Sequence, residues 1–182
     1  MLFSNAQEVN LTKGNLEFLK GEKTINVEFV YDKMKIDDYG KEENFVKIKM
    51  AEKEAKEPGG GEKWKKEWED DKKNKFEARF ILRFGENGKI AVNKESKYTL
   101  VFSTIYMEGG YSVGVAKKNA VIDAQAWIIE TGKPDKKLAV FVIDRAPESM
   151  WRGAAFDSGD RISQAYMLAA KQLAIFIKKE TK

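Results

Sequence analysis

Trp64 and Trp68, one helical turn apart among lysines, are the residues in this sequence best suited to contact a ligand. Exposed, two indoles at that spacing form an apolar platform that can grip a partner or stack on a sugar; buried, the reading favoured here, they seat the helix on the sheet. Trp151, in a loop running from Ala146 to Phe156, is a further contact candidate, since large aromatics in loops often serve binding. Tyr111 lies in a glycine-rich segment, Gly109 to Gly114, and Lys117 and Lys118 follow it. Two cations beyond such a loop suit a phosphate or carboxylate, but a solvated strand end is the favoured reading.

Catalysis has little to draw on. The 182 residues include no histidine and no cysteine, which removes His-based general bases, thiol nucleophiles, disulfides, and thiolate or imidazole metal sites. Asp123, Gln125 and Glu130 fall along one strand-like segment without a partner base, so no catalytic residue is assigned and a non-enzyme is expected. Gly59–Gly61 and Gly88-Lys89 lack the spacing of a phosphate loop. The acidic clusters Asp37-Asp38 and Glu67-Glu69-Asp70-Asp71 lack the alternation of a calcium loop; the second reads as helix-surface pairing with Lys72 and Lys73. Neither a metal nor a cofactor is expected.

Charge excludes another class. The chain carries 33 basic and 29 acidic residues, a net of +4. Its most charged stretch, Lys41 to Lys75, holds 11 lysines and 10 acids, a difference of +1. Nucleic-acid affinity needs uncompensated cations, so no nucleic-acid partner is expected. No run of about 18 apolar residues is present to span a membrane.

The elements that must position these side chains follow from periodicity. Thr24 to Tyr31 reads as a strand with Ile25, Val27 and Phe29 on one face. Lys41 to Glu57 reads as a helix, stopped by Pro58-Gly59-Gly60-Gly61. In Glu62 to Phe84 the aromatics at 64, 68, 76, 80 and 84 step by fours, as on a helix, while Phe76 to Phe84 also alternates as a strand would. One helix is favoured, because the charged lead-in from Lys63 to Lys75 lacks strand character. Lys97–Tyr106, Asn119–Glu130 and Lys137–Asp144 read as strands joined by short turns, the second with Ile122, Ala124, Ala126 and Ile128 on its dry face. From about Gly159 to Lys179 the apolar residues 162, 166, 169, 173 and 176 make a long amphipathic helix, with Asp157 or Ser158 to cap it. The expected fold is α/β: a mostly antiparallel sheet of about four strands against two or three helices, the last long and C-terminal. A 42% hydrophobic content supports one domain over 21–182, after a flexible N-terminal segment, 1–20. Met1 to Gln7 reads either as the remnant of a secretory signal, with Ala6 before the cleavage point, or as a tag.

Three segments together carry a resemblance: the loop Gly109 to Ala120, the strand pair Ala120 to Asp144, and Ala154 to Lys179. They resemble uncharacterised secreted or envelope proteins of Bacteroides-type Gram-negative bacteria. More remotely they are similar to the α/β domains of curli-secretion-type lipoproteins and the TolB N-terminal domain. There a D-x-x-T-G-K turn precedes a final helix; here the turn reads Ile129-Glu130-Thr131-Gly132-Lys133, with Glu130 near the aspartate position. The resemblance implies helix over strand for Phe76–Phe84 and favours the signal remnant, but it brings no catalytic residues. The lipoproteins need an N-terminal cysteine for acylation, absent here, so it implies a soluble periplasmic or secreted protein. The expectation is a non-enzymatic binding or scaffolding module with an envelope protein as partner. The alternative is a domain for a small ligand, glycans included.

Overall fold

Alternation of apolar and polar residues places four long strands side by side, and the residues between them decide how they join. The computed structural model describes residues 8–113, 115–148 and 157–182. Strands β1 (Glu8–Gly14), β2 (Thr24–Val30), β3 (Lys35–Ile36), β4 (Gly40–Lys41), β5 (Ala91–Val92), β6 (Tyr98–Glu108), β7 (Tyr111–Val113), β8 (Ala116–Lys118), β9 (Val121–Glu130) and β10 (Lys137–Pro147) alternate with four helices: α1 (Glu42–Glu54), α2 (Gly60–Asp71), α3 (Ala78–Asn87) and α4 (Ser158–Glu180). Among the described residues the main sheet has eight strands in the order β1-β10-β9-β6-β2-β5, with β3 and β4 appended at β6. Strands β7 and β8 form a separate hairpin.

This corrects the expectation of a mostly antiparallel sheet of about four strands. The sheet is mixed: β1/β10, β10/β9 and β9/β6 are antiparallel, whereas β2 runs parallel to both β6 and β5. The physical reason lies in the connection. Three helices intervene between β2 and β6, and a long helical crossover is what parallel neighbours require.

One face of the sheet is dry. Val27, Leu100, Phe102, Ala126, Ile128 and Phe141 share it and are buried. Helix α4 lies on that face with Tyr166, Ala169, Ala170 and Leu173 fully buried. Its start is capped as composition anticipates, Asp157 accepting from the Gly159 N–H at 3.2 Å. The opposite face is more polar: Asn26 donates to the Thr99 hydroxyl at 3.2 Å, and the half-buried Trp127 carries Lys137 over its ring at 3.8 Å.

The ambiguous segment is helical throughout. α2 continues through a π-helical stretch, Lys72–Glu77, into α3. Residues four apart on an ordinary helix drift by roughly 40° per step, which would carry Phe84 away from the side that Trp68 faces. The wider π-turn takes up that drift. Trp68, Phe76, Phe80 and Phe84 are therefore all buried in one core.

Met1 to Gln7, and with it the reading of a signal remnant, lies outside the described residues. Glu8–Gly14, within the segment assigned to a flexible start, is the edge strand β1. No helix among the described residues is long and apolar enough to cross a membrane.

Candidate functional site

Helices α1 and α2 meet so closely that a Cβ on Gly61 would lie 2.9 Å from the Met50 carbonyl oxygen. Glu54 secures the turn between them by accepting from the Gly59 and Gly61 N–H groups at 3.0 and 3.1 Å. Those bonds hold its carboxyl below the usual range. The close approach puts Phe45 of α1 edge-on to both indoles of α2, with ring centroids 5.6 Å from Trp64 and 5.2 Å from Trp68. The indoles themselves are parallel within 10°, at 6.1 Å. Trp68 is buried, at 7% exposure, while Trp64 is half-buried. The two are therefore not equivalent: one seats the helix and the other is presented.

Trp64 opens onto a groove of about 600 Å³ between α1, α2 and the first turn of α4. Lys49 and Lys53 line it from α1, Lys56 from the turn that follows, Glu67 and Asp71 from α2, and Asp157 and Gly159 from the start of α4. Part of this lining is already paired. Lys75 bridges Asp71 at 3.0 Å and Asp157 at 2.7 Å, and Lys49 holds Glu52 at 2.8 Å. The side chains of Lys53, Lys56 and Glu67 make no ion pair or hydrogen bond among the described residues, although Lys53 and Lys56 lie near enough to Glu52 to help Lys49 hold its carboxyl below the usual range.

A polar network fixes the platform from behind. The Trp68 indole N–H donates to Glu42 at 2.7 Å, and the same carboxylate oxygen accepts from Lys72 at 2.8 Å. Burial works against the Lys72 ammonium, yet Glu42 and Glu69 keep its pKa above the ordinary lysine value. Lys72 also lies over the ring of Tyr31, 5.3 Å from its centroid, and Tyr31 donates to Glu77 at 3.2 Å. Burial, reinforced by Tyr166 and Glu77, pushes the Tyr31 hydroxyl far above the usual tyrosine range, so it remains a donor.

Glu77 gives a testable pH dependence. Burial raises its carboxyl pKa, and the Tyr31 hydrogen bond with Lys73 and Lys72 offsets only part of that. A folded pKa above the unfolded value means that Glu77 contributes stability fully below the unfolded carboxylate range. That contribution is lost as pH rises through the folded pKa. Glu77→Gln, permanently neutral and still able to accept from Tyr31, is expected to melt above the wild type at pH 7, with the gap closing toward pH 4. Thermal melts across that range would reject this account if the gap widened on acidification.

The other sequence-predicted residues lie elsewhere. Tyr111, half-exposed at 48%, sits on β7; Lys117 and Lys118 sit on β8. Lys117 pairs with the buried Glu148 at 3.2 Å, and Lys118 pairs with the buried Glu108. Both cations thus tie the hairpin to the sheet. The buried Arg161 of α4 secures the hairpin root, donating to the Gly109 and Gly110 carbonyls at 3.0 and 3.1 Å. Asp123, weighed above for acid–base work, accepts from the Arg145 N–H at 2.7 Å. There it stabilises a bulge in β10 where Arg145 adopts φ 46°. Trp151 lies outside the described residues. Sequence reading missed Glu42 and Lys53 as parts of the platform, since nothing local marks a helix-surface charge as facing a groove.

Fold and site together define a mixed α/β domain with a helical groove floored by aromatics. No family model matches the chain, and no curated protein does. Solved structures similar in chain path include the PelC dodecamer from Paraburkholderia phytofirmans, at TM-score 0.45 and 15% identity over 95% of this chain and 98% of that one. Another is protein XCC0632 from Xanthomonas campestris, at TM-score 0.43 and 12% identity over 87% and 84%.

Proposed function

We propose that this chain is a non-enzymatic binding module of the cell envelope, periplasmic or secreted, which holds another envelope component in the groove over Trp64. The carrying observation is the half-buried Trp64 indole, fixed in place by Trp68 and Phe45 and bordered by Lys53, Lys56 and Glu67, whose side chains make no hydrogen bond among the described residues. A rigid aromatic anchor with polar groups around it is how binding surfaces concentrate affinity. Asp71 and Asp157 are both held by Lys75, an arrangement that favours recognition over acid–base chemistry. The envelope placement is supported by the sequence resemblance of residues 109–179. The groove's concavity favours a second reading, a small ligand as the component bound.

A photoreactive residue at Lys56, with fractionation of the cells that make the protein, tests this. Crosslinks should form in the periplasm or medium and disappear in Trp64→Ala. That variant should lose only about 1–2 kcal/mol of stability, because its ring is half-buried. Recovery from the cytosol, or crosslinking indifferent to Trp64, would overturn the proposal.

A further inference from the structure

We infer that the groove takes a neutral oligosaccharide, with one sugar ring lying on the Trp64 indole. This rests on the groove being the binding site, and it names what that site selects. Three observations converge on it.

The first is the size of the apolar surface. Trp68 has its N–H committed to Glu42 and its ring buried, which leaves the Trp64 ring as the open aromatic of the pair. A single indole matches the C–H face of one pyranose, and it is too little for an apolar protein interface. The exposed large hydrophobics among the described residues are Ile48, Leu82, Tyr111, Val113, Val115 and Ile175, and none lines the groove.

The second is charge. Four lysines in the groove lining are matched by four carboxylates, so no net field draws in an anion or a cation. The side chains without a hydrogen bond among the described residues are of both kinds: Lys53 and Lys56 donate, and Glu67 accepts. Sugar hydroxyls both donate and accept, so neighbouring hydroxyls can satisfy an ammonium and a carboxylate at once.

The third is shape. Beyond Trp64 the groove runs into a second hollow of about 260 Å³ that shares Lys53, Lys56 and Glu67 and extends to Lys63 and Gly60. An open trough with polar groups along its length suits a chain of rings better than a compact metabolite.

Isothermal titration of the full chain with cellohexaose, maltohexaose and chitohexaose, against oligogalacturonate as the acidic control, decides the matter. At least one neutral hexamer should bind with a Kd below the millimolar range, and Trp64→Ala should weaken it by about tenfold or more. Glu67→Gln should weaken it several-fold. The affinity should be unchanged between about 0.05 and 0.5 M salt, as expected for an uncharged ligand. Failure of every neutral hexamer, or preference for the acidic one with affinity falling as salt rises, overturns the inference. Failure of the neutral hexamers while Trp64-dependent crosslinks persist in cells removes the sugar and leaves the groove standing. Failure of both removes the site itself.

Discussion

Trp68→Ala is expected to lower the unfolding free energy by about 3–5 kcal/mol, the range for truncating a buried tryptophan. Its ring touches Phe45, Trp64 and Phe76, so the cavity would open at the junction of α1, α2 and the π-helical turn. The loss also strips Glu42 of its 2.7 Å indole donor, leaving Lys72 as the one described partner of that oxygen. Trp68→Phe separates the two effects. It keeps most of the contact and loses the hydrogen bond, for an expected cost of about 1–2 kcal/mol. Chemical denaturation with an unchanged m-value checks both variants. A loss below about 1.5 kcal/mol for the alanine variant would mean that the helices close over the gap, and that Trp68 does not seat α2.

The second large effect is expected from Gly110→Ala. Gly110 has φ +58°, and a Cβ there would lie 2.3 Å from the Lys118 carbonyl oxygen and 2.6 Å from the Ala120 nitrogen. Both are backbone atoms and cannot swing aside. The strand entering the hairpin would have to part from the strand leaving it. Arg161 would then lose carbonyl acceptors while remaining buried. Overpacking against backbone plus left-handed strain amounts to about 3 kcal/mol or more. The neighbouring Gly109→Ala is the control. A Cβ there meets Ser158 Cβ at 3.6 Å, an ordinary contact, and the expected change is below about 1 kcal/mol. Denaturation midpoints, with hydrogen exchange over residues 111–120, would show the root opening in one variant and closed in the other. Equal effects would place the hairpin's stability elsewhere.

What could be read in advance depended on where each element draws its stability. Strands β6, β9 and β10 and helix α4 announce themselves: β6 by a run of β-branched and aromatic residues, β9 and β10 by alternation, α4 by its four–three spacing. The edge strand β1 does not: in Glu8–Gly14 only Val9 and Leu11 are apolar, and the strand exists because β10 offers it a ladder. Strands β3, β4 and β5, two residues each, are likewise too short to carry a pattern. The parallel pairing of β2 with β6 was hidden for a different reason. A short turn dictates its partner, whereas a helical crossover leaves strand order to tertiary packing. At the site, the spacing of Trp64 and Trp68 was legible, and their inequality was not. Phe45 and Glu42, contributed by another helix, decide which indole is buried. Glu108 and Glu148 carried no signal at all, since an acid is buried there only because two strands happen to end beside a lysine-bearing hairpin.

The pairing of β1 with β10 also sets an order of events during synthesis. Glu8 lies opposite Asp144, so β1 waits for a strand about 130 residues further along before it has any place in the sheet. Until β10 is available, β9 has an open edge and β1 is an unpaired ribbon. Contacts of such long sequence separation form slowly. A chain cut short of β10 should therefore be held by chaperones or degraded, and the sheet can lock only once β10 is in place.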